Sequence, residues 1–155
     1  MLISNRNERN HEKVIGQLIE KADKCILCTG WIDLPGIKKI EPYISKSKAS
    51  KNEIVIYSNS NIKHTPSNVI DYLKKNKCIN HWIVDDSYRR LHSKIYYFES
   101  GSKFDAIIGS ANLTHNGLTK NEELSIHVTG NIGSTKHIEI IEYLSSLNVV
   151  LQRNA

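Results

Sequence analysis

Three short apolar runs separated by helix-period segments set the tightest limit on this chain. Lys24-Cys25-Ile26-Leu27-Cys28-Thr29, Glu53-Ile54-Val55-Ile56-Tyr57-Ser58 and the stretch from Cys78 to Val84 read as strands. Runs this short and this continuous in apolar residues fit strands covered on both faces. Ahead of the first lies a helical stripe over residues 8–23, carried by Val14, Ile15, Leu18, Ile19 and Ala22. A weaker helix over residues 35–48 follows Pro35, and Thr65-Pro66 opens another that reaches about Lys75, with proline at the first helical position. Consecutive strands joined through helices become parallel neighbours, because the crossover must pack back on the sheet.

The pattern then changes. Residues 91–98, 104–110 and 123–128 are strand-like, and Glu99-Ser100-Gly101-Ser102-Lys103 between the first two reads as a hairpin turn. Ser134 caps a last helix with Ile138, Ile141, Leu144 and Leu147 on its stripe. The expected fold is α/β: a mixed, largely parallel sheet flanked by helices on both faces, forming a single domain over residues 1–155. A chain of 155 residues with 39% hydrophobic and 24% charged residues can bury such a core without a disulfide or a metal.

The first seven residues lack the apolar run of a signal peptide, and no stretch approaches the roughly 18 apolar residues of a membrane helix. Three cysteines in such a chain point to a reducing, cytoplasmic setting. Cys25 and Cys28 make a CxxC, but three positions along a strand place them on opposite faces, which reads as core packing and not as a metal or redox pair. The formal net charge of +5 permits a polyanionic partner. There is no P-loop, GxGxxG or HExxH.

The chemically informative segment is Leu91-His92-Ser93-Lys94, then Gly109-Ser110-Ala111-Asn112, then Asn121-Glu122-Glu123-Leu124. His92 and Lys94, two apart on a strand, leave one face. If the turn spans 99–103, residue 98 pairs with 104 and 92 lies opposite 110, so His92, Lys94, Ser110 and Asn112 gather at one end of the hairpin. Alternation on the next strand puts Glu123 beside them. An imidazole can attack or donate a proton, a lysine and an amide can stabilise anionic oxygens, and a carboxylate can fix a histidine tautomer. That set suits phosphodiester chemistry with no metal and no cofactor.

His92-x-Lys94 followed by Gly109-Ser110-x-Asn112 resembles the HxK…GSxN signature of the phospholipase D superfamily. The eleven residues from Asn112 to Glu123 are similar to its single-motif branch, the BfiI- and NgoFVII-type restriction endonucleases. The motif's usual aspartate position holds Glu99, a departure that weakens a phospholipase reading more than a nuclease one. The resemblance implies a metal-independent DNA endonuclease. Because the family's sites use two HxK motifs and this chain has one, it also implies a homodimer with one shared site. His92 of one subunit would form a phosphohistidine and the other would protonate the leaving oxygen. Lys94 and Asn112 would hold the phosphate oxygens, Glu123 would accept the Nδ1 proton of His92, and Ser110 would support the phosphate or the histidine. Alternatives are a lipid or other phosphodiesterase, or a nucleic-acid-binding module without activity.

Weaker candidates for substrate contact are Thr114, Trp31, Arg89 and Arg90, each with a plain structural reading beside it: turn hydroxyl, core indole, solvated edge. No sequence-reading module is visible, so either cleavage is non-specific or a recognition domain lies in a longer parent chain or a partner. Nothing suggests a membrane partner.

Overall fold

The computed structural model describes residues 1–49 and 53–153. Their elements run β1 (Leu2–Ser4), α1 (His11–Lys21), β2 (Lys24–Cys28), α2 (Leu34–Lys46), β3 (Ile54–Asn59), α3 (Ser67–Lys75), β4 (Asn80–Val84), β5 (Ile95–Ser100), β6 (Lys103–Gly109), α4 (His115–Thr119), β7 (Leu124–Asn131), α5 (Thr135–Ser145) and β8 (Val149–Arg153). The eight strands form one sheet in the order β1-β7-β6-β5-β2-β3-β4-β8.

Four of the five helices among the described residues start at a capping side chain; α3 starts at Ser67 with Pro66 at the cap position, one residue later than expected, because the Thr65 hydroxyl donates to Asn59 O instead. The side chains of Asn10, Asp33, Thr114 and Ser134 each accept a backbone N–H in the first turn of α1, α2, α4 and α5. Alternate strand residues then feed two cores. On one face α1 to α4 cover the sheet, packing Val14, Ile15, Ile19, Ile37, Ile40, Leu73 and Leu118 against Leu27, Ile56, Tyr96 and Ile107. On the other, α5 stands alone, with Leu144 packed among Ile26, Val55, Tyr97 and Phe104. Ile15, Ile19, Ile37 and Ile40 are fully buried, and burying a side chain of this size contributes about 1.5–3 kcal/mol. Cys25 and Cys28 fall in opposite cores, and burial pushes both thiols up to about 12.

The mixed sheet with helices on both faces is as expected, but its parallel share is smaller. Only β2-β3 and β3-β4 are parallel; the other five neighbouring pairs among the described residues are antiparallel. A short connection forces this only for β5-β6, since two residues cannot carry a chain back to the start of a parallel neighbour; the other four pairs join segments farther apart in the chain. Three elements escaped the sequence reading: β1, α4 and β8. Each is three to five residues long, too short for a periodicity to show.

The hairpin register also differs from expectation by one residue. The turn is the two-residue Gly101-Ser102 with Gly101 at φ +58°, and Ser100 pairs with Lys103. Two-residue turns with a positive φ match the twist of the strands, and glycine adopts that φ without strain. Phe98 therefore pairs with Asp105, and Gly109 N–H donates to Lys94 O at 3.3 Å. A slip of one residue exchanges the two faces, so Gly109 stands opposite Lys94, where the expected pairing of 92 with 110 would have put Ile108.

Candidate active site

The parallel strands β2 and β3 end at the same edge where β5 begins and β6 finishes. A crevice at the carboxyl ends of parallel strands, where the connections diverge, is the usual ligand position in α/β sheets. His92 sits there, exposed, three residues before β5. Its close approach to β2 depends on Gly30, where an added Cβ would lie 3.0 Å from His92 Cα.

Lys94 is 8% exposed, and its Nζ reaches His92 Nδ1 at 3.1 Å and Nε2 at 3.5 Å. Burial lowers the ammonium pKa and the field of Glu123 partly restores it. Asn112 comes to the same crevice by a route that strand alternation did not foresee. Beyond Gly109 the chain leaves β6, and Leu113 forms a bridge with Ile32. Asn112 Oδ1 accepts the Trp31 N–H at 3.0 Å and lies 3.4 Å from the Thr29 hydroxyl, leaving Nδ2 as its free donor. Thr29, fully buried, also donates to Trp31 O at 2.7 Å and accepts from Leu113 N–H at 3.0 Å. Thr29 was missed in the sequence because it looks like an ordinary strand end. Together Gly30, Trp31, His64, Arg90, His92 and Asn112 line a cleft of about 160 Å³.

Ser110 and Glu123 form a second group. The Ser110 hydroxyl donates to Glu123 Oε2, and Asn121 Nδ2 donates to Oε1 at 3.4 Å. No hydrogen bond joins Glu123 to His92 among the described residues, so the tautomer-fixing contact expected of Glu123 is not made in the single chain. The one-residue shift of register explains why Ser110 turns to Glu123 and away from His92. Glu122, its neighbour, is spent on an exposed ion pair with Arg6 at 2.8 Å.

Behind Glu123 lies a buried histidine. His11 donates through its backbone N–H (3.2 Å) and Nδ1 (2.8 Å) to Asn5 Oδ1, and Nε2 accepts from Ser125 Oγ at 2.9 Å. Asn5 Nδ2 in turn donates to Gly117 O at 2.9 Å and Asn121 O at 3.1 Å. The loop that carries Glu123 is thus tied to the start of α1. Desolvation holds His11 below its ordinary pKa, against the opposing field of Glu123. His11 lies four residues ahead of Ile15 on the apolar stripe, and a polar residue at that spacing is the sequence signal of a buried partner.

Of the weaker candidates, Trp31 and Arg90 line the cleft. Arg90 is held by Asp86 at 3.3 Å. Arg89 lies in a neighbouring hollow of about 350 Å³ with Tyr88 and Tyr143, which Arg90 also borders. Thr114 Oγ1 accepts the Gly117 N–H at 2.9 Å and caps α4, as a turn hydroxyl does. Glu99 sits at the far end of β5, where it accepts from Tyr97 OH at 2.8 Å and faces Lys24 at 3.9 Å. Among the described residues no cluster of three or more His, Cys, Asp or Glu could hold a metal ion, and no helix is long and apolar enough to cross a membrane.

A family model described as the NgoFVII restriction endonuclease N-terminal phospholipase D domain matches residues 10–154. The chain belongs to that family. No curated protein sequence matches it. Among solved structures it is similar to Nuc from Salmonella typhimurium, a phospholipase D family member, with TM-score 0.67 and 15% identity over 94% of this chain and 90% of that one. NucT from Helicobacter pylori gives TM-score 0.66 and 16% identity over 96% and 97%. Polyphosphate kinase from Porphyromonas gingivalis gives 0.62 and 23% over 93% of this chain and 22% of that one. At these identities the likeness is one of fold, and with the family match it supports the resemblance read from His92, Lys94, Ser110 and Asn112.

Proposed function

We propose that this restriction-endonuclease phospholipase D domain is a metal-independent DNA endonuclease acting through a phosphohistidine at a homodimer interface. The observation that carries the reading is Lys94 Nζ lying 3.1 Å from Nδ1 of His92, the histidine that lines a cleft together with Asn112. A nucleophile with a buried cation and an amide donor beside it is what an anionic, five-coordinate phosphorus requires. In the free site Lys94 leans on the imidazole. A bound phosphodiester draws Nζ to a non-bridging oxygen and leaves the Nδ1 edge open to the carboxylate of Glu123. His92 Nε2 then bonds to phosphorus as the P–O bond to the leaving oxygen breaks. That oxygen takes a proton from His92 of the partner subunit, which next removes one from water. The water oxygen bonds to phosphorus and the P–N bond breaks, returning His92 to its starting state. Ser110 keeps Glu123 in position.

One chain supplies one such histidine, so the reaction needs a second copy. Support for pairing comes from the sheet face left uncovered beside α5, where Leu2 is 68%, Leu124 56% and Ile126 49% exposed. Leu2 pairs directly with Ile126, and Leu124 follows Glu123 in the chain. A contiguous apolar stripe at the reactive end of the sheet fits a subunit contact. Either cleavage is non-specific, or sequence reading belongs to another part of a longer chain or to a partner.

Plasmid nicking in the presence of EDTA tests the proposal. Cleavage that persists with EDTA and disappears in His92→Ala supports it. Cleavage that requires added Mg²⁺, or turnover of a lipid phosphodiester with intact plasmid, overturns it. Plasmid binding without any cleavage identifies a binding module instead.

A further inference from the structure

We propose that the cleft beside His92 takes an unpaired nucleobase, stacked on Trp31, next to the phosphate that reacts. The inference rests on the nuclease reading and names the form of nucleic acid the site accepts. Trp31 is 48% exposed, which by itself would be unremarkable. Its setting is what matters. Its N–H is bound by Asn112 Oδ1 at 3.0 Å, and its carbonyl by the buried Thr29 hydroxyl at 2.7 Å. The indole therefore stands on a backbone fixed by the same asparagine that would contact the phosphate. His64 packs against the ring at 4.8 Å between centroids, tilted by 55°. Trp31 and His64 together border the cleft.

The remaining wall supplies charge. Arg90 borders the cleft and is held by Asp86, which also accepts from Asn59 at 3.0 Å. A half-exposed aromatic ring, a guanidinium and an asparagine amide within one cleft of about 160 Å³ match one base beside the reacting phosphate. Bases in an intact duplex are covered on both faces by their neighbours, so only a base that has left the stack can lie on Trp31.

The experiment uses tryptophan emission of the His92→Ala chain, with His92→Gln as a second inactive variant. It is titrated at constant salt with a short single-stranded oligonucleotide, the same strand with abasic sites, and its duplex. Trp31→Phe separates the signal from that of Trp82. The single strand is expected to quench emission, the abasic strand to bind without quenching, and the duplex to bind more weakly than the single strand. Trp31→Ala should weaken single-strand binding roughly 5- to 150-fold, the range spanned by loss of one base–aromatic stack, while Trp31→Phe should remain near the parent. Single-strand affinity unchanged in Trp31→Ala, or equal quenching by the abasic strand, overturns the inference. Failure of the nuclease reading looks different: Trp31-dependent binding persists while the intact chain leaves every oligonucleotide uncut.

Discussion

Asn112 holds two jobs at opposite ends of one amide, and two substitutions separate them. Oδ1 must be the atom facing Trp31, because a backbone N–H can only donate, and that leaves Nδ2 for the ligand. Asn112→Asp keeps an acceptor for the Trp31 N–H but replaces the donor with a carboxylate oxygen, which repels phosphate. Asn112→Ala removes both ends. A preorganised donor to a developing oxyanion is worth about 2.7–4 kcal/mol, or roughly 10²–10³ in kcat. Both variants should lose at least that much nicking activity. Stability should divide them. Losing the acceptor removes the hydrogen bond to the exposed Trp31 N–H, at a cost of about 0.5–1.5 kcal/mol. At this chain length each kcal/mol moves Tm by about 2–4 °C, so Asn112→Ala should melt roughly 1–6 °C below wild type, and Asn112→Asp nearer to it. Thermal melts and nicking rates on the same preparations decide the matter. Asn112→Asp cleaving at the wild-type rate would refute the donor role, and equal melting of the two variants would refute the anchor.

His11 should make stability pH-dependent. Burial holds its native pKa below the ordinary value of 6.5, so as pH falls through 6.5 the unfolded chain takes up a proton that the native chain refuses, and stability declines. His11→Gln should flatten the fall in Tm between pH 7.5 and 5.5; an unchanged slope would place the titrating group elsewhere. The uncovered stripe on β1 and β7 gives a further expectation. Ile126→Glu should yield monomers by light scattering with the fold retained by circular dichroism, and nicking should fall with the dimer. A monomeric variant as active as wild type would remove the need for a second His92.

Some of the site was legible because its signals are local. His92 and Lys94 share a face by the period of two, and Gly109, Ser110 and Asn112 follow a strand end. Cys25 and Cys28 separate into two cores by the same rule. Register was less accessible. Whether the hairpin turned on two residues or five hinged on Gly101, and that choice decided whether Ile108 or Gly109 faced Lys94. Asn112 reached the cleft for a different reason, since it lies outside the ladder and is placed by Thr29, Trp31 and the Ile32–Leu113 bridge.

The sequence by itself determined the alternation of elements, the two apolar faces of the central strands, the helix starts and the identity of the reactive groups, because each follows from the chain's own periodicity or from neighbours within a few residues. Tertiary structure alone decided that four strand pairs besides the β5-β6 hairpin run antiparallel, that Glu123 meets Ser110 before any phosphate arrives, and that His11 is tied through Asn5 to residues more than a hundred positions away. Those outcomes depend on which surfaces meet across the sheet, and hydrogen bonds between residues distant in sequence leave no periodic trace in it.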